Sequence, residues 1–378
     1  MPQKTLKKRV ISICNISPTK FGSFEEFIVA LTDKLKDNNF EHLIIFRDKP
    51  IKIVEDSLLN KGAKIEIIKP SKYNIKNFIE FYRIIKKNQP DIVHFHFYPI
   101  YTIVNYLSII SDVRIVYTDH MGGKEAKTKF KKMIRLIYYN VNSKLFSYGI
   151  NRIICVSKFT KLKYVKDYGI HPKNLCVIYN GINIERFNKR CEVGKIKEKY
   201  KVKDEFIITC VGLRKDKGVH YLIKEIPSII KQIPNIKIIL VGEGECRNYL
   251  ETQVQEYDLK KYVIFTGQIS NIEEVFCISS CVVMPTLVEE ACPYTALESM
   301  AIGVPVIGFD SGGLKEIVID GQNGYIIPKK SKALVEKIVA IHNKELIDSM
   351  GEKCKKRILE KFSLLQCTNK YVELYTKI

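Results

Sequence analysis

Two successive sets of short Val/Ile-rich runs, each run followed by a longer helical pattern, constrain this chain more than any other feature. The first set lies at residues 10–14, 43–46, 65–68, 92–95, 113–117 and 153–156. The second lies at 206–211, 236–241, 263–265, 281–284 and 305–308. These runs mostly lack apolar–polar alternation, the pattern expected of strands covered on both faces of a parallel sheet. The rhythm breaks over a charged stretch, 189–205, and restarts at Phe206. We therefore expect an α/β chain of two doubly wound domains, 1–188 and 206–361, joined by a linker at 189–205. A last segment, 362–378, is apolar at helical spacing and is expected to cross back to the first domain. The length of 378 residues suits two such domains.

No run reaches the roughly 18–20 apolar residues of a membrane span. The longest candidate, 98–110, is interrupted by Asn105 and Ser108. A basic start (Lys4, Lys7, Lys8, Arg9) precedes an apolar run only one strand long, with no small-residue cleavage site behind it. That reads as a first strand in a cytoplasmic protein rather than an export signal. The eleven cysteines are scattered without a Cys-x-x-Cys, and Cys14, Cys155, Cys210 and Cys281 sit in strand-like runs, so packing under reducing conditions is expected. Cys277 and Cys281 are four apart with no histidine near, which favours packing over a metal.

The net charge of +21 asks for a partner or a lysine-rich background. No helix-turn-helix, zinc finger or RNA-binding aromatic motif is present, so nucleic acid is not expected. From Lys124 to Lys144, the cations Lys127, Lys129, Lys131, Lys132 and Arg135 interleave with Phe130, Met133, Ile134, Leu136, Ile137 and Tyr138. The spacing suits either a basic amphipathic helix on anionic lipid, at the inner face of a membrane, or a solvated lysine face over a buried stripe.

In doubly wound sheets ligands bind beyond the carboxyl ends of the strands, so the loops there carry the chemistry. After the run at 281–284 comes Glu289-Glu290-Ala291-Cys292-Pro293-Tyr294-Thr295-Ala296-Leu297-Glu298. Pro293 suits the first turn of a helix, with Gly303 and Pro305 marking its end. Amides at such a start, including those of Tyr294 and Thr295, can hold an anion such as a diphosphate. Glu290 beside it and Glu298 beyond one turn can accept hydrogen bonds at two places along one ligand; equally, Glu298 reads as a solvated face.

After the run at 206–211, Gly212-Leu213-Arg214-Lys215-Asp216-Lys217-Gly218 offers a planar fork in Arg214 and a mobile charge in Lys217. After 236–241, Gly242-Glu243-Gly244 allows close backbone approach. In the first half, Phe21-Gly22-Ser23-Phe24-Glu25 opens a helix, and His120 stands at the carboxyl end of the run at 113–117. His120 can hydrogen-bond a hydroxyl or meet developing charge, or be a satisfied structural histidine. His94 and His96 share one strand face without a carboxylate or cysteine to complete a metal site.

The order of these pieces resembles the retaining glycosyltransferases of family 4, which have the GT-B fold of two facing Rossmann-like domains. The carrying motifs are Glu290 and Glu298 as Glu-x7-Glu, Val241-Gly242-Glu243-Gly244, Phe265-Thr266-Gly267, the stretch from Glu298 to Val306, Gly312-Gly313-Leu314-Lys315-Glu316 and the stretch from Asp320 to Ile327. In the first half they are the stretch from Asp91 to Phe97, Val156-Ser157 and Asn180-Gly181. The resemblance implies a nucleotide-sugar donor, UDP by default, held mainly by the second domain, with the acceptor on the first. Glu290 would meet the donor sugar, Glu298 the ribose, and Arg214, Lys217 and the Tyr294 and Thr295 amides the diphosphate. Gly212 and Gly242 would line the donor site and the backbone at Gln268 and Ile269 would read the base. Gly22 would belong to the glycine loop and His120 to the wall near the sugar.

Three positions depart from the family pattern. Gly212 stands where an arginine is usual, the glycine loop reads Gly-Ser-Phe-Glu, and Cys292-Pro293 replaces Phe-Gly. The Asp-x-Asp metal motif of the other major glycosyltransferase fold is missing, so neither metal nor cofactor is expected. The acceptor stays open among a cell-envelope glycan, a lipid-linked glycan and a small molecule. Two rival readings are a UDP-GlcNAc epimerase or other GT-B enzyme, and a non-catalytic nucleotide-sugar-binding protein.

Overall fold

The computed structural model describes residues 7–69, 74–100, 102–120, 141, 149–188 and 191–378. Residues 124–144, the basic segment, lie outside the described residues apart from Val141. The chain divides into two compact units, Met1–Gly181 with Leu364–Ile378, and Ile182–Ser363.

The first unit is built on β1 (Lys8–Cys14), β2 (Phe40–Phe46), β3 (Lys64–Ile67), β4 (Ile92–His96), β5 (Arg114–Asp119), β6 (Ile150–Cys155) and β7 (Leu175–Val177). Their order in the sheet is β3-β2-β1-β4-β5-β6-β7, and every pairing is parallel. β1 is buried continuously from Val10 to Cys14, and β4 at every residue, because helices cover both faces. The helix Ser23–Asp37 turns Phe27, Ile28, Leu31 and Leu35 onto one of them.

The C-terminal helix Leu364–Lys377 crosses back to this unit, placing Cys367, Tyr371, Val372 and Tyr375 in the same cluster. Its two tyrosines also reach polar groups of the sheet. Tyr371 Oη lies 3.1 Å from Thr118 Oγ1, and Tyr375 Oη meets His94 Nδ1. A buried aromatic that satisfies a buried polar group holds both in place.

The second unit contains β8 (Phe206–Val211), β9 (Ile236–Val241), β10 (Val263–Gly267), β11 (Cys281–Met284), β12 (Val306–Phe309) and β13 (Gly324–Ile327). The order β10-β9-β8-β11-β12-β13 is again parallel throughout. Both sheets grow outward in one direction, then start again beside their first strand. Strand order therefore reverses between β1 and β4, and between β8 and β11. That reversal opens a crevice at the carboxyl edge, because the two following loops run to opposite sides.

The structure adds two strands that the sequence pattern did not mark. β7 is three residues long and β13 begins with a glycine, and each is an outer strand of its sheet. The stretch 189–205, expected as a linker, instead belongs to the second unit. Its residues Val193–Lys199 form a helix, and Ile196 and Val202 are buried with Ile207, Ile239 and Val275, so the charge of the segment masks an apolar anchor. This packing also corrects the reading of Cys277 as a packing residue, since Cys191 and Cys277 form a disulfide with Cα atoms 6.2 Å apart. Among the described residues, no helix is long and apolar enough to cross a membrane.

Candidate functional site

The crevice of the second unit is walled by the loops that follow β8 and β11. The β8 loop leaves the sheet at Gly212, whose amide donates to the Val241 carbonyl at 2.8 Å, while Gly242 donates to the Gly267 carbonyl at 2.9 Å. Those two bonds bring the ends of β8, β9 and β10 level. The loop then tightens into a short turn, Lys215–Lys217, ended by Gly218 at φ +67°. A Cβ at Gly218 would stand 2.1 Å from the Pro285 carbonyl oxygen, closer than any contact allows. Glycine here gives both the left-handed backbone and the approach of the β8 loop to the β11 loop. The Leu287 amide completes the seam by donating to the Asp216 carbonyl at 2.9 Å.

This seam places Lys217 against Glu290. The ammonium Nζ lies 2.6 Å from Glu290 Oε1, with only 20% and 15% of the two side chains exposed. A charge-assisted contact this well shielded is stronger than a surface pair. The Glu290 carbonyl in turn accepts from the Gly313 amide at 2.7 Å, which ties in the loop after β12. Arg214 is occupied differently. Its Nε and Nη2 each donate to the Asp216 carboxylate at 3.0 Å. Burial pushes the Asp216 carboxyl up, but the guanidinium beside it prevails and holds it below the usual carboxylate range.

The helix Tyr294–Ile302 opens on the same crevice. Pro293 stands at its N-cap, one residue before the first turn proposed from sequence, and supplies no side-chain acceptor. The Ala296 and Leu297 amides return to the Pro293 carbonyl at 3.2 and 3.4 Å. Tyr294, Thr295 and Glu298 are half-buried along it. Gln268 is exposed just beyond β10, and Ile269 packs into the cluster around Ile207 and Ile239. Both lie two strands from β8. Three features of this site had no role in the sequence reading: Asp216 as the partner of Arg214, the Gly313 bond to Glu290, and the buried Ser311, whose Oγ has no hydrogen-bond partner. The Gly312-Gly313 pair after a strand was the available signal for the last two.

In the first unit, Gly22 is the N-cap of the helix Ser23–Asp37, and its amide donates to Glu25 Oε2 at 3.0 Å. The Gly-Ser-Phe-Glu departure thus builds a helix start. Burial raises Glu25 above the usual carboxylate range, although the Gly22 amide works against it. His120 follows β5, with Phe97 stacked on its ring at 4.4 Å. Its Nε2 lies 3.1 Å from Nδ1 of the fully buried His96. Burial pushes His120 down to about 3, with the Asn180 side chain opposing, and pushes His96 well below the ordinary histidine range.

The folds of known proteins place these crevices in context. A glycosyltransferase from Rickettsia africae ESF-5 superposes with a TM-score of 0.81 at 21% identity, covering 98% of each chain. Anabaena Alr3699/HepE in complex with UDP superposes at 0.79 and 18%, covering 98% of this chain and all of that one (100%). The architecture is therefore GT-B, with two Rossmann-like units. Two family models also match, Glycosyltransferase Family 4 over residues 24–186 and Glycosyl transferases group 1 over residues 193–357. The chain belongs to the family 4 glycosyltransferases. Among its curated relatives is the UDP-Gal:alpha-D-GlcNAc-diphosphoundecaprenol alpha-1,3-galactosyltransferase of Escherichia coli, 27% identical over 311 residues that cover 80% of this chain and 79% of the relative.

Proposed function

We propose that this glycosyltransferase moves a sugar from a UDP-sugar to a hydroxyl of a cell-envelope glycan, a lipid-linked glycan or a small molecule, with retention at the anomeric carbon and without a metal. The observation that carries this reading is the Lys217–Glu290 pair at 2.6 Å in the β8/β11 crevice. A cation and a carboxylate held together there match the two ends of a sugar–diphosphate linkage. The diphosphate draws Lys217, and the sugar hydroxyls donate to the released Glu290.

Around that pair the remaining roles follow. Arg214, freed from Asp216, and the Tyr294 and Thr295 amides complete the diphosphate grip. Gly212 and Gly242 admit the donor closely, Glu298 accepts from the ribose, and the Gln268 and Ile269 backbone meets the base. Gly22 and His120 are the proposed site residues of the first unit. The E. coli relative is named for a UDP-Gal donor and a diphosphoundecaprenol-linked acceptor, and Alr3699/HepE is also known in complex with UDP-glucose. Both support a UDP-sugar, and the first supports a lipid-linked acceptor. The basic segment 124–144 supports an approach to an anionic membrane surface.

In the reaction, the bond from the anomeric carbon to the diphosphate oxygen breaks as the acceptor oxygen forms its bond on the same face. The acceptor proton passes to the leaving phosphate oxygen. Negative charge therefore grows on the diphosphate, which Lys217, Arg214 and the helix amides would hold in the donor complex. One preorganised donor of this kind contributes roughly 10²–10³ in rate. A panel of UDP-sugars with and without candidate acceptors tests the proposal, with the product anomer read by NMR. Transfer with the donor's anomeric configuration is expected. An inverted product overturns retention, and acceptor-independent conversion of UDP-GlcNAc establishes the epimerase instead.

A further inference from the structure

We propose that Lys329 is a positioning residue that keeps Lys217 for Glu290 and the donor diphosphate, by holding the neighbouring carboxylate, Glu289, on the other side of its loop. This rests on the reading above that Lys217 meets the diphosphate. The loop runs from Pro285 to Pro293, between β11 and the helix Tyr294–Ile302, and contains neither helix nor strand. Strand order gives it two flanks. The β8 loop lies on one, and the loops after β12 and β13 lie on the other. Lys329 stands two residues beyond the end of β13. Its ammonium Nζ donates to the Leu287 carbonyl at 3.0 Å and lies 3.5 Å from Glu289 Oε1.

The loop is divided between these flanks. The Leu287 amide donates to the Asp216 carbonyl on the β8 side at 2.9 Å, whereas the Leu287 carbonyl accepts from Lys329 on the β13 side. Glu290 meets Lys217 at 2.6 Å on the first side, and Glu289 meets Lys329 on the second. Two adjacent carboxylates thus take one cation each. Among the described residues Glu289 has no other ion pair or hydrogen bond. Leu287, by contrast, has further holds: its amide bond, and a side chain packed on the core cluster that includes Leu213 and Val219. Loss of the Lys329 charge therefore frees Glu289 while the main chain stays anchored. Consecutive Cα atoms are only about 3.8 Å apart, so a freed Glu289 is close enough to turn to the cation beside Glu290. There it competes with the diphosphate for Lys217 and repels Glu290, at a place where Lys217 is only 20% exposed and screening is weak. The Lys329–Glu289 pair, with 34% and 25% of its side chains exposed, adds little to stability. Its effect is on which carboxylate Lys217 meets.

Lys329→Gln in the full chain keeps a donor for the Leu287 carbonyl and removes the charge. Its affinity for UDP, measured by calorimetry, should fall roughly two- to fivefold, the range of one partly exposed charge pair. Adding Glu289→Gln should restore the affinity, because the competitor is gone, and Lys329→Arg should keep it. A merely structural brace predicts no such repair, since removing a second contact does not mend a loosened loop. Unchanged affinity in Lys329→Gln overturns the proposal, as does a loss that Glu289→Gln fails to repair. Glu289→Gln alone should match the unaltered protein, and a loss there overturns the proposal even if Lys329→Gln does not fold. Thermal coupling separates this failure from failure of the reading it rests on. Unchanged UDP affinity in Lys217→Met would remove Lys217 from the diphosphate. The coupling between Lys217 and Glu290, read from Tm in a double-mutant cycle, should even then weaken in the Lys329→Gln background, and an unchanged coupling overturns the sorting itself.

Discussion

Lys217 and Glu290 are 73 residues apart in sequence and 2.6 Å apart at their charged ends. Chain topology explains the meeting. After β8 the chain builds β9 and β10 on one side, then crosses to place β11 on the other, pairing Cys281 with Ile208. The loops after β8 and β11 are therefore neighbours, and Gly218 lets them touch. In the absence of donor each charge stabilises the other. In the proposed mechanism, donor binding exchanges that contact for two contacts to one ligand.

Glu290→Gln separates the two halves of this exchange. The amide still accepts from a sugar hydroxyl but no longer holds Lys217. UDP, which has no sugar, should bind at least as tightly as before. Transfer should fall about 100-fold or more, the loss expected for one preorganised group acting on the transition state. Calorimetry with UDP and steady-state rates with the UDP-sugar measure both; near-normal kcat in this variant removes Glu290 from the chemistry.

Gly218→Ala should damage stability and donor binding together. The new Cβ must move the Pro285 carbonyl from 2.1 Å, and alanine resists φ +67°. A loss of about 2 kcal/mol or more is expected from a close contact combined with backbone strain. Urea denaturation with the same variant's UDP affinity tests this. Unchanged values for both would mean that the seam between the loops is not tight.

Metal removal should leave the rate intact. Arg214 and Lys217 neutralise the diphosphate in the proposed mechanism, so EDTA should change turnover less than about twofold, well inside the effect of losing one charged contact. Loss of turnover restored by Mn²⁺ contradicts that division of labour.

Acid should destabilise the first unit through its buried histidines. His42, bonded to Ser12 Oγ and Thr32 Oγ1 at 2.8 Å, is pushed by burial down to about 3, as is His120. The unfolded chain binds protons at these rings near the ordinary histidine value of roughly 6.5, while the folded chain does not. The sign is then fixed. The stabilisation is present above about 6.5 and is lost as pH falls through the window down to about 3. Tm should drop between pH 7 and pH 5, with proton uptake on unfolding at pH 5. A flat Tm over that range would show these rings to be solvated.

The sequence made the central strands legible because their apolar runs are uninterrupted. β8, β9 and β11 begin and end where the pattern of Val, Ile and Leu does. The outer strands β7 and β13 escaped notice because a strand with one neighbour needs little apolar length. The helix Val193–Lys199 was hidden by its lysines, since Ile196 and Val202 are too few to reveal a period. For the site, residue type and loop position singled out Arg214, Lys217 and Glu290. Their partners required strand order, which periodicity does not encode. That is why Glu290 on Lys217 and His96 on His120 emerge only from the fold.

A crystal structure of the protein with an intact, non-transferable UDP-sugar analogue tests the account most directly. It should show the diphosphate against Lys217, Arg214 and the start of the helix Tyr294–Ile302, with the Lys217–Glu290 contact broken and Glu290 on the sugar. A diphosphate bound away from the β8 and β11 loops, or an undisturbed Lys217–Glu290 pair beside a bound donor, would contradict it.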